Sequence, residues 1–179
     1  MPSTTPALED PMRSAFGILS LLVAAYPMPN RTTGSGSDCA PVQAAVALLY
    51  KTPFHVLITK TATRPGQFPT STDEAIWAGN KLFVKVGASP WVSTQVSADN
   101  VLGSVTGGVA HYSECRRLSD GAVRGAPVAV YAAKMESGEQ AQLFVSAKSG
   151  LLIRDVLDED IMKVTADFDF ANVRPPAGG

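Results

Sequence analysis

The sequence lacks a marked excess of either positive or negative charge. Its 179 residues carry 15 Lys and Arg against 16 Asp and Glu, which gives a formal net charge of -1. Arg116-Arg117 is the only basic doublet, and no basic stretch alternates with aromatic residues. Nucleic-acid-binding domains usually carry a basic patch, so we expect no nucleic-acid partner. The balance of charge also provides no attraction to acidic membranes.

Recognisable catalytic and metal-binding motifs are also missing. The chain has two histidines, His55 and His111, which are too few for a typical zinc site without further ligands. It contains no G-x-S-x-G nucleophile elbow, no H-E-x-x-H pair and no phosphate-binding P-loop. We therefore expect no enzyme, no catalytic residue, no metal site and no cofactor. A cleft that placed either histidine beside a carboxylate would favour an enzyme instead.

Residues 1–38 are interpreted as an upstream extension with a signal peptide and a flexible lead-in. An uncharged apolar run, Ala15 to Ala25, is too short to span a bilayer comfortably and fits the core of a secretory signal better. Glu9 and Asp10 do not suit a positively charged leader, so the leader is taken to begin at Met12. We expect a periplasmic or secreted protein that is not an integral membrane protein. The alternative is a disordered N-terminus with a chance apolar run.

The chain has only two cysteines, Cys39 and Cys115. An oxidising compartment would permit a disulfide between them, and this pairing is the favoured interpretation. The alternatives are two unpaired structural cysteines, a lipid-anchored Cys39 or a reactive thiol. The sequence before Cys39, Gly36-Ser37-Asp38, does not suit lipidation.

The second half of the chain shows the period-two alternation of strands that have one apolar face. From 164 to 170 the sequence is V-T-A-D-F-D-F, which places Val164, Ala166, Phe168 and Phe170 on one side and polar residues on the other. Short strands joined by tight turns predict a meandering antiparallel sheet. Such a sheet must cover its apolar face with helices, a second sheet, a partner or a ligand.

The predicted elements form one α+β, mainly β domain over residues 39–176. A helix is predicted from Pro41 to Tyr50, and a second from Ser97 to Val105 with Ser97 as its cap. Ser119-Asp120-Gly121 is predicted to be a turn that ends a strand. The predicted strands are 54–61, a hairpin over 74–86, 91–96, 111–118, 126–135, 140–146, 151–157 and 162–170.

Several of these segments together resemble a known family. They are Glu74 to Trp77 and Lys81 to Val84 before Trp91, then Gly125 to Tyr131, Gln142 to Ser146, Lys148 to Arg154, and Phe168 to Phe170 before Val173 to Pro176. Their order is similar to that of the LolA/LolB-like lipoprotein-carrier superfamily and its uncharacterised periplasmic relatives, over roughly Cys39 to Pro176.

The resemblance implies a curved antiparallel sheet, a half-open barrel, with two or more helices on its concave face. In the family this concavity binds acyl chains of lipoproteins or lipids. The chain departs from the pattern because it has only two recognisable helices, and because no residue matches the family's interior arginine.

The apolar rows of the predicted strands and the two tryptophans provide candidate ligand-binding residues, since apolar pockets are lined largely by such side chains. The candidates are Val56, Ile58, Trp77, Leu82, Val84, Trp91, Val130, Leu143, Val145 and Phe168. The same rows could form a filled core, and for Trp77 and Trp91 a core position is the preferred interpretation.

Two functions remain open from the sequence. The first is an exported carrier-like protein that binds a hydrophobic ligand or acyl chain, from a lipid or lipoprotein, between the sheet and its helices. The alternative is a periplasmic protein-interaction or structural module that has a solid core and no ligand.

Overall fold

The computed structural model describes residues 39–96 and 111–177, all of which belong to a single compact unit. One helix precedes nine strands. The elements are α1 (Ala40–Lys51), β1 (Phe54–Ala62), β2 (Ser71–Ala78), β3 (Lys81–Val86), β4 (Val92–Thr94), β5 (Tyr112–Val123), β6 (Ala126–Met135), β7 (Gln140–Ser146), β8 (Leu152–Asp158) and β9 (Met162–Asp169).

The nine strands form one antiparallel sheet in the order β4-β3-β2-β1-β9-β8-β7-β6-β5. The sheet is open, and β4 and β5 are its two edges. The fold is therefore mainly β, as the sequence predicts. Over the described residues it contains one helix rather than two or more. The second helix predicted for 97–105 lies outside the described residues.

Helix α1 forms where the sequence predicts it. Pro41 lies in its first turn, where the missing amide hydrogen costs no hydrogen bond. Val42, Ala45, Val46 and Leu49 are spaced to share one side, and all four are buried. This side packs on β5, β7 and β8.

A disulfide joins Cys39, at the N-terminal end of α1, to Cys115 on β5. It confirms the favoured pairing and excludes an unpaired or lipid-anchored cysteine at either position. The backbone amide of Cys115 also donates a hydrogen bond to the Cys39 sulfur, 3.2 Å away. The start of α1 is therefore attached to an edge strand of the sheet.

The pairing of β1 with β9 brings the two ends of the domain together at the centre of the sheet. Val56 lies opposite Phe168, and Ile58 lies opposite Ala166. All four side chains are buried on the α1 side of the sheet. The alternation predicted for β9 is therefore confirmed, and the Phe54 and Phe168 rings meet edge to face with their centroids 5.3 Å apart.

The turn predicted at Ser119-Asp120-Gly121 is wrong. Strand β5 continues to Val123, and Gly121 lies within it opposite Val128. Arg124 and Gly125 make the turn, with φ values of 50° and 79°. Two consecutive residues with positive φ match the twist of a tight hairpin. The polar segment predicted as a turn lies within β5 instead, where two β-bulges shift the pairing with β6.

Candidate functional site

The candidate site is the inner face, defined here as the face of the sheet that α1 packs against. Its side chains form one apolar cluster that extends from Leu82 on β3, through Val56 on β1 and Phe168 on β9, to Leu143 on β7 and Tyr131 on β6. Each of these residues is buried. The cluster is therefore one continuous surface across most of the sheet rather than a set of separate patches.

The inner face becomes solvent-accessible toward the β3–β4 edge. Val84 lies opposite Val92, so both side chains point to the inner face, and Val86 points there as the partner of Asp73. Val84 is half-buried, while Val86 is 61% exposed and Val92 is 66% exposed. We call Val84, Val86 and Val92 the edge valines. They extend the apolar inner face out to solvent.

The structure places eight of the ten candidate residues on the inner face. Seven are buried there and Val84 is half-buried. The eight are Val56, Ile58, Trp77, Leu82, Val84, Leu143, Val145 and Phe168. Their common position is a finding, whereas their contact with a ligand stays a prediction.

Trp91 lies on the opposite face of the sheet. It packs against Ile76, Ala78 and Phe83, which alternate with the inward residues of β2 and β3, and Val173 packs there as well. Because the indole covers an outer cluster, it does not join the other candidates on the inner face.

Val130 also faces outward, in a cluster with Val123 and Val128 against which Phe144 and Ile153 pack. The inward residues of this strand are Tyr131 and its neighbours at alternate positions. Strand β6 carries apolar residues on both faces, so alternation alone did not identify the inward row.

Sequence reasoning missed a buried polar pair on the inner face. The Tyr112 hydroxyl on β5 donates a 2.8 Å hydrogen bond to Oδ2 of Asp155 on β8. Asp155 is 1% exposed, and its Oδ1 has no hydrogen-bond partner among the described residues. Burial raises the pKa of Asp155 to about 6, although hydrogen bonds from Tyr112 and from the backbone of Val156 oppose this effect. Burial and the nearby carboxyl also raise the pKa of Tyr112, so the hydroxyl stays protonated and can donate.

A β-bulge explains how Asp155 comes to face inward. Leu152 and Asp155 both face the inner side although they are three residues apart. Strict alternation would place them on opposite faces, but the register shifts between Phe144 and Val145, opposite Ile153. The sequence signal for the inward direction of Asp155 is its position two residues before Leu157, which faces inward.

A second buried acid, Asp73, lies near the end of the same face. Its Oδ2 accepts a 2.8 Å hydrogen bond from Lys60, and its Oδ1 accepts one of 3.1 Å from the Gly87 amide. Both carboxylate oxygens are therefore occupied. This arrangement connects β1 and β2 to the turn after β3, next to Val86.

One histidine does lie beside a carboxylate, but on the outer face. The His55 Nε2 is 3.2 Å from Glu74 Oε2, while Lys85 is 3.1 Å from Oε1 of the same carboxylate. The Lys85 hydrogen bond lowers the pKa of Glu74. Lys85 also lies over the Trp91 ring at 5.9 Å. These are partly exposed side chains on the outer face, separated by the sheet from the inner cluster.

The described part of the chain contains neither a candidate metal site nor a candidate membrane-spanning helix. Residues 39–96 and 111–177 contain no cluster of three or more His, Cys, Asp or Glu side chains arranged for a metal. Within the same ranges, no helix combines the length and the hydropathy needed to cross a membrane.

Comparisons with known proteins show a likeness of fold. No protein-family model and no curated protein matches the sequence. The Mycobacterium tuberculosis lipoprotein LppX matches the structure with a TM-score of 0.51 at 11% identity, over 79% of this chain and 99% of LppX. LprF from Mycobacterium bovis matches with a TM-score of 0.49 at 15% identity, over 80% of this chain and 98% of LprF.

A LolA superfamily protein, NE2245 from Nitrosomonas europaea, matches with a TM-score of 0.32 at 8% identity, over 78% of this chain and 94% of that chain. The match to LppX shows a likeness of fold over most of this chain. At these identities the comparisons indicate the shape of the sheet and leave the ligand open.

Proposed function

We propose that the protein is an exported carrier-like protein whose curved sheet, a half-open barrel, holds a hydrophobic ligand or acyl chain between its inner face and α1. The observation that carries this proposal is the continuity of the inner face. Its apolar cluster extends beyond the strands that α1 packs on and continues through the edge valines into solvent. The likeness of fold to the lipoprotein LppX supports it.

Burial of apolar surface would provide the driving force. Transfer from water gains about 25 cal/mol for each Å² of apolar area, before the costs of association are subtracted. Val84 and Val92 are positioned to contact a chain that enters along the β3–β4 edge. Such a chain would remove exposed valine surface from water as well as its own surface.

The disulfide between Cys39 and Cys115 supports the exported location. Disulfides persist in oxidising compartments and are rare in the cytosol. A periplasmic or secreted carrier would therefore keep α1 attached to β5 while a ligand occupies the space beside it.

A protein-interaction module is the second candidate function, and the β4 edge favours it. Val92, Ser93 and Thr94 are exposed, uncharged and paired on one side only, with β3. Natural sheets usually protect edges with charged residues, and an unprotected edge can accept a strand from a partner protein.

The test is native mass spectrometry of the full 179-residue chain, exported in a bacterium, followed by organic extraction. We expect a bound lipid or fatty acid of defined mass. Val84→Lys should lower the bound fraction more than tenfold, because placing an unpaired ammonium against an acyl chain costs at least about 2 kcal/mol.

The matched control is Leu57→Lys, at an outward residue of β1 that is 41% exposed. It adds the same charge without touching the inner face, so the bound fraction should not change. A clean apo mass with no uptake of added fatty acid would overturn the carrier function, and co-purification of one protein would then support the interaction module.

A further inference from the structure

We propose that Asp155 and Tyr112 form a polar subsite on the inner face that accepts a hydrogen bond from the ligand. The preferred ligand is then an apolar chain that ends in a hydrogen-bond donor such as a hydroxyl group. This inference rests on the proposed function and specifies the chemistry of its ligand.

The first observation is the unpaired carboxylate oxygen. Asp155 and Asp73 are the two buried acids among the described residues. Asp73 has a partner for each oxygen, whereas Oδ1 of Asp155 has none among the described residues. Buried polar atoms are nearly always hydrogen-bonded, so Oδ1 of Asp155 is the atom of this face that lacks a partner.

The second observation is the position of the pair on the inner face, on two strands that α1 packs against. In the register of the sheet, Asp155 lies opposite Leu143 on one side and Ala166 on the other, and both neighbours are buried in the inner cluster. Strands β5 and β8, which carry Tyr112 and Asp155, are strands on which α1 packs. The carboxyl therefore lies on the face that the proposed ligand would contact.

The third observation is that the pair is held in place. Tyr112 lies opposite Met135 at the start of β5, three residues before the disulfide-bonded Cys115. Its hydroxyl is directed to Oδ2, which leaves Oδ1 available as an acceptor. A subsite fixed by rigid elements loses little entropy when a ligand binds.

The hydrogen bond from Tyr112 accounts for Oδ2 of Asp155 but leaves Oδ1 unexplained. Replacing both partners of a buried hydrogen bond by apolar groups of similar shape is nearly neutral or stabilising, whereas replacing one alone leaves the other unpaired. The subsite therefore predicts opposite effects in the double variant Asp155→Leu/Tyr112→Phe, which should bind the preferred ligand less tightly while the protein unfolds at an equal or higher temperature.

The experiment compares two probes on the full-length protein: 1-dodecanol, and its methyl ether, which has the same chain and oxygen but no donor. Affinity is measured by displacement of a fluorescent apolar dye, and stability by thermal unfolding. We expect the wild-type protein to prefer the alcohol by about tenfold, the scale of one buried hydrogen bond. Asp155→Leu should remove this preference by weakening the alcohol alone.

Two further variants keep the test interpretable. Asp155→Asn keeps the size of the side chain and can still accept from Tyr112, but it presents an amide donor where Oδ1 accepted, so the preference should also disappear. Leu157→Ala changes a buried residue on the same strand and face. It should lower stability and weaken both probes equally, so that the ratio of their affinities is kept.

Equal affinity of the wild-type protein for the two probes would overturn the subsite while supporting the proposed function. A preference that survives in both Asp155 variants would overturn it as well. Binding of neither probe would overturn the proposed function together with the subsite.

Discussion

Replacement of Asp155 by asparagine should remove a large pH-dependent loss of stability. The carboxyl is fully buried on the inner face, and burial raises its pKa from the ordinary value of 3.8 to about 6. Each unit of difference between the folded-state and unfolded-state pKa corresponds to about 1.4 kcal/mol in the free energy of unfolding. Ionisation of Asp155 in the folded protein therefore costs about 3 kcal/mol relative to the unfolded chain.

The sign follows from the raised pKa. Below about pH 3, Asp155 is protonated in both states and there is no cost. As the pH rises toward 6, the unfolded chain loses this proton first, so the folded state becomes less stable. Above about pH 7 the full cost is present. The wild-type free energy of unfolding should therefore fall relative to that of Asp155→Asn between about pH 4 and pH 7.

The assay is urea unfolding followed by tryptophan fluorescence, since Trp77 is buried in the inner cluster. Other groups titrate in this range; burial, for example, raises the pKa of Glu159. The difference between wild type and variant at each pH isolates Asp155. Asp73→Asn is the matched control, and it should destabilise at neutral pH because Lys60 and the Gly87 amide lose a charged partner.

A wild-type curve that stays parallel to the Asp155→Asn curve would refute this reasoning. It would mean that Asp155 is either solvated or paired in the native protein. Stabilisation by Asp73→Asn of the same size would also refute it, because the two acids would then not differ through their partners.

Two further predictions concern the core. Replacing Cys39 and Cys115 by serine should lower the free energy of unfolding by roughly 4 kcal/mol, since the cysteines are 76 residues apart and the open loop restores entropy to the unfolded chain. A thermal unfolding temperature that does not change with reductant would contradict this. Phe168→Ala should cost about 3–5 kcal/mol in a urea titration, because the ring is fully buried against Phe54. Phe170→Ala, at a half-buried position, should cost less, and equal losses would contradict the argument.

Strand positions were predictable where one face of a strand is apolar and the other polar. Strands β1 and β9 have this pattern, and their buried rows, Val56 with Ile58 and Ala166 with Phe168, are the predicted ones. Alternation fixes such a strand because a slip of one residue would expose the whole row.

Strands that are apolar on both sides were harder to orient. In β6, Val130 and Tyr131 are both buried, on opposite faces, so the sequence alone identifies a strand without its inward row. The face on which Trp91 lies was not predictable for a related reason. Its residue type favours burial, and nothing in its immediate sequence distinguishes an outer cluster from an inner one.

The turn at Arg124-Gly125 and the inward direction of Asp155 depend on bulges, which shift the register without a clear sequence signal. Ser119-Asp120-Gly121 has better turn residues than Arg124 has, yet the longer strand also carries Val123 into the outer cluster. In both cases the register follows from packing across the sheet rather than from local sequence preference.

The order of the strands has a consequence for how the chain folds. The sheet consists of two sequence-local meanders, β1 to β4 and β5 to β9, that meet only along the pairing of β1 with β9. Contacts inside each meander join nearby residues and form quickly, whereas the seam joins strands from the two ends of the domain and closes slowly.

Until the seam closes, β1 and β9 are unpaired edges rich in apolar residues, which makes the half-folded chain prone to aggregation. The disulfide would shorten this interval, because it joins the start of α1, which precedes the first meander, to the first strand of the second. Oxidation early in folding would thus hold the two halves of the sheet close enough to pair with each other rather than with another molecule.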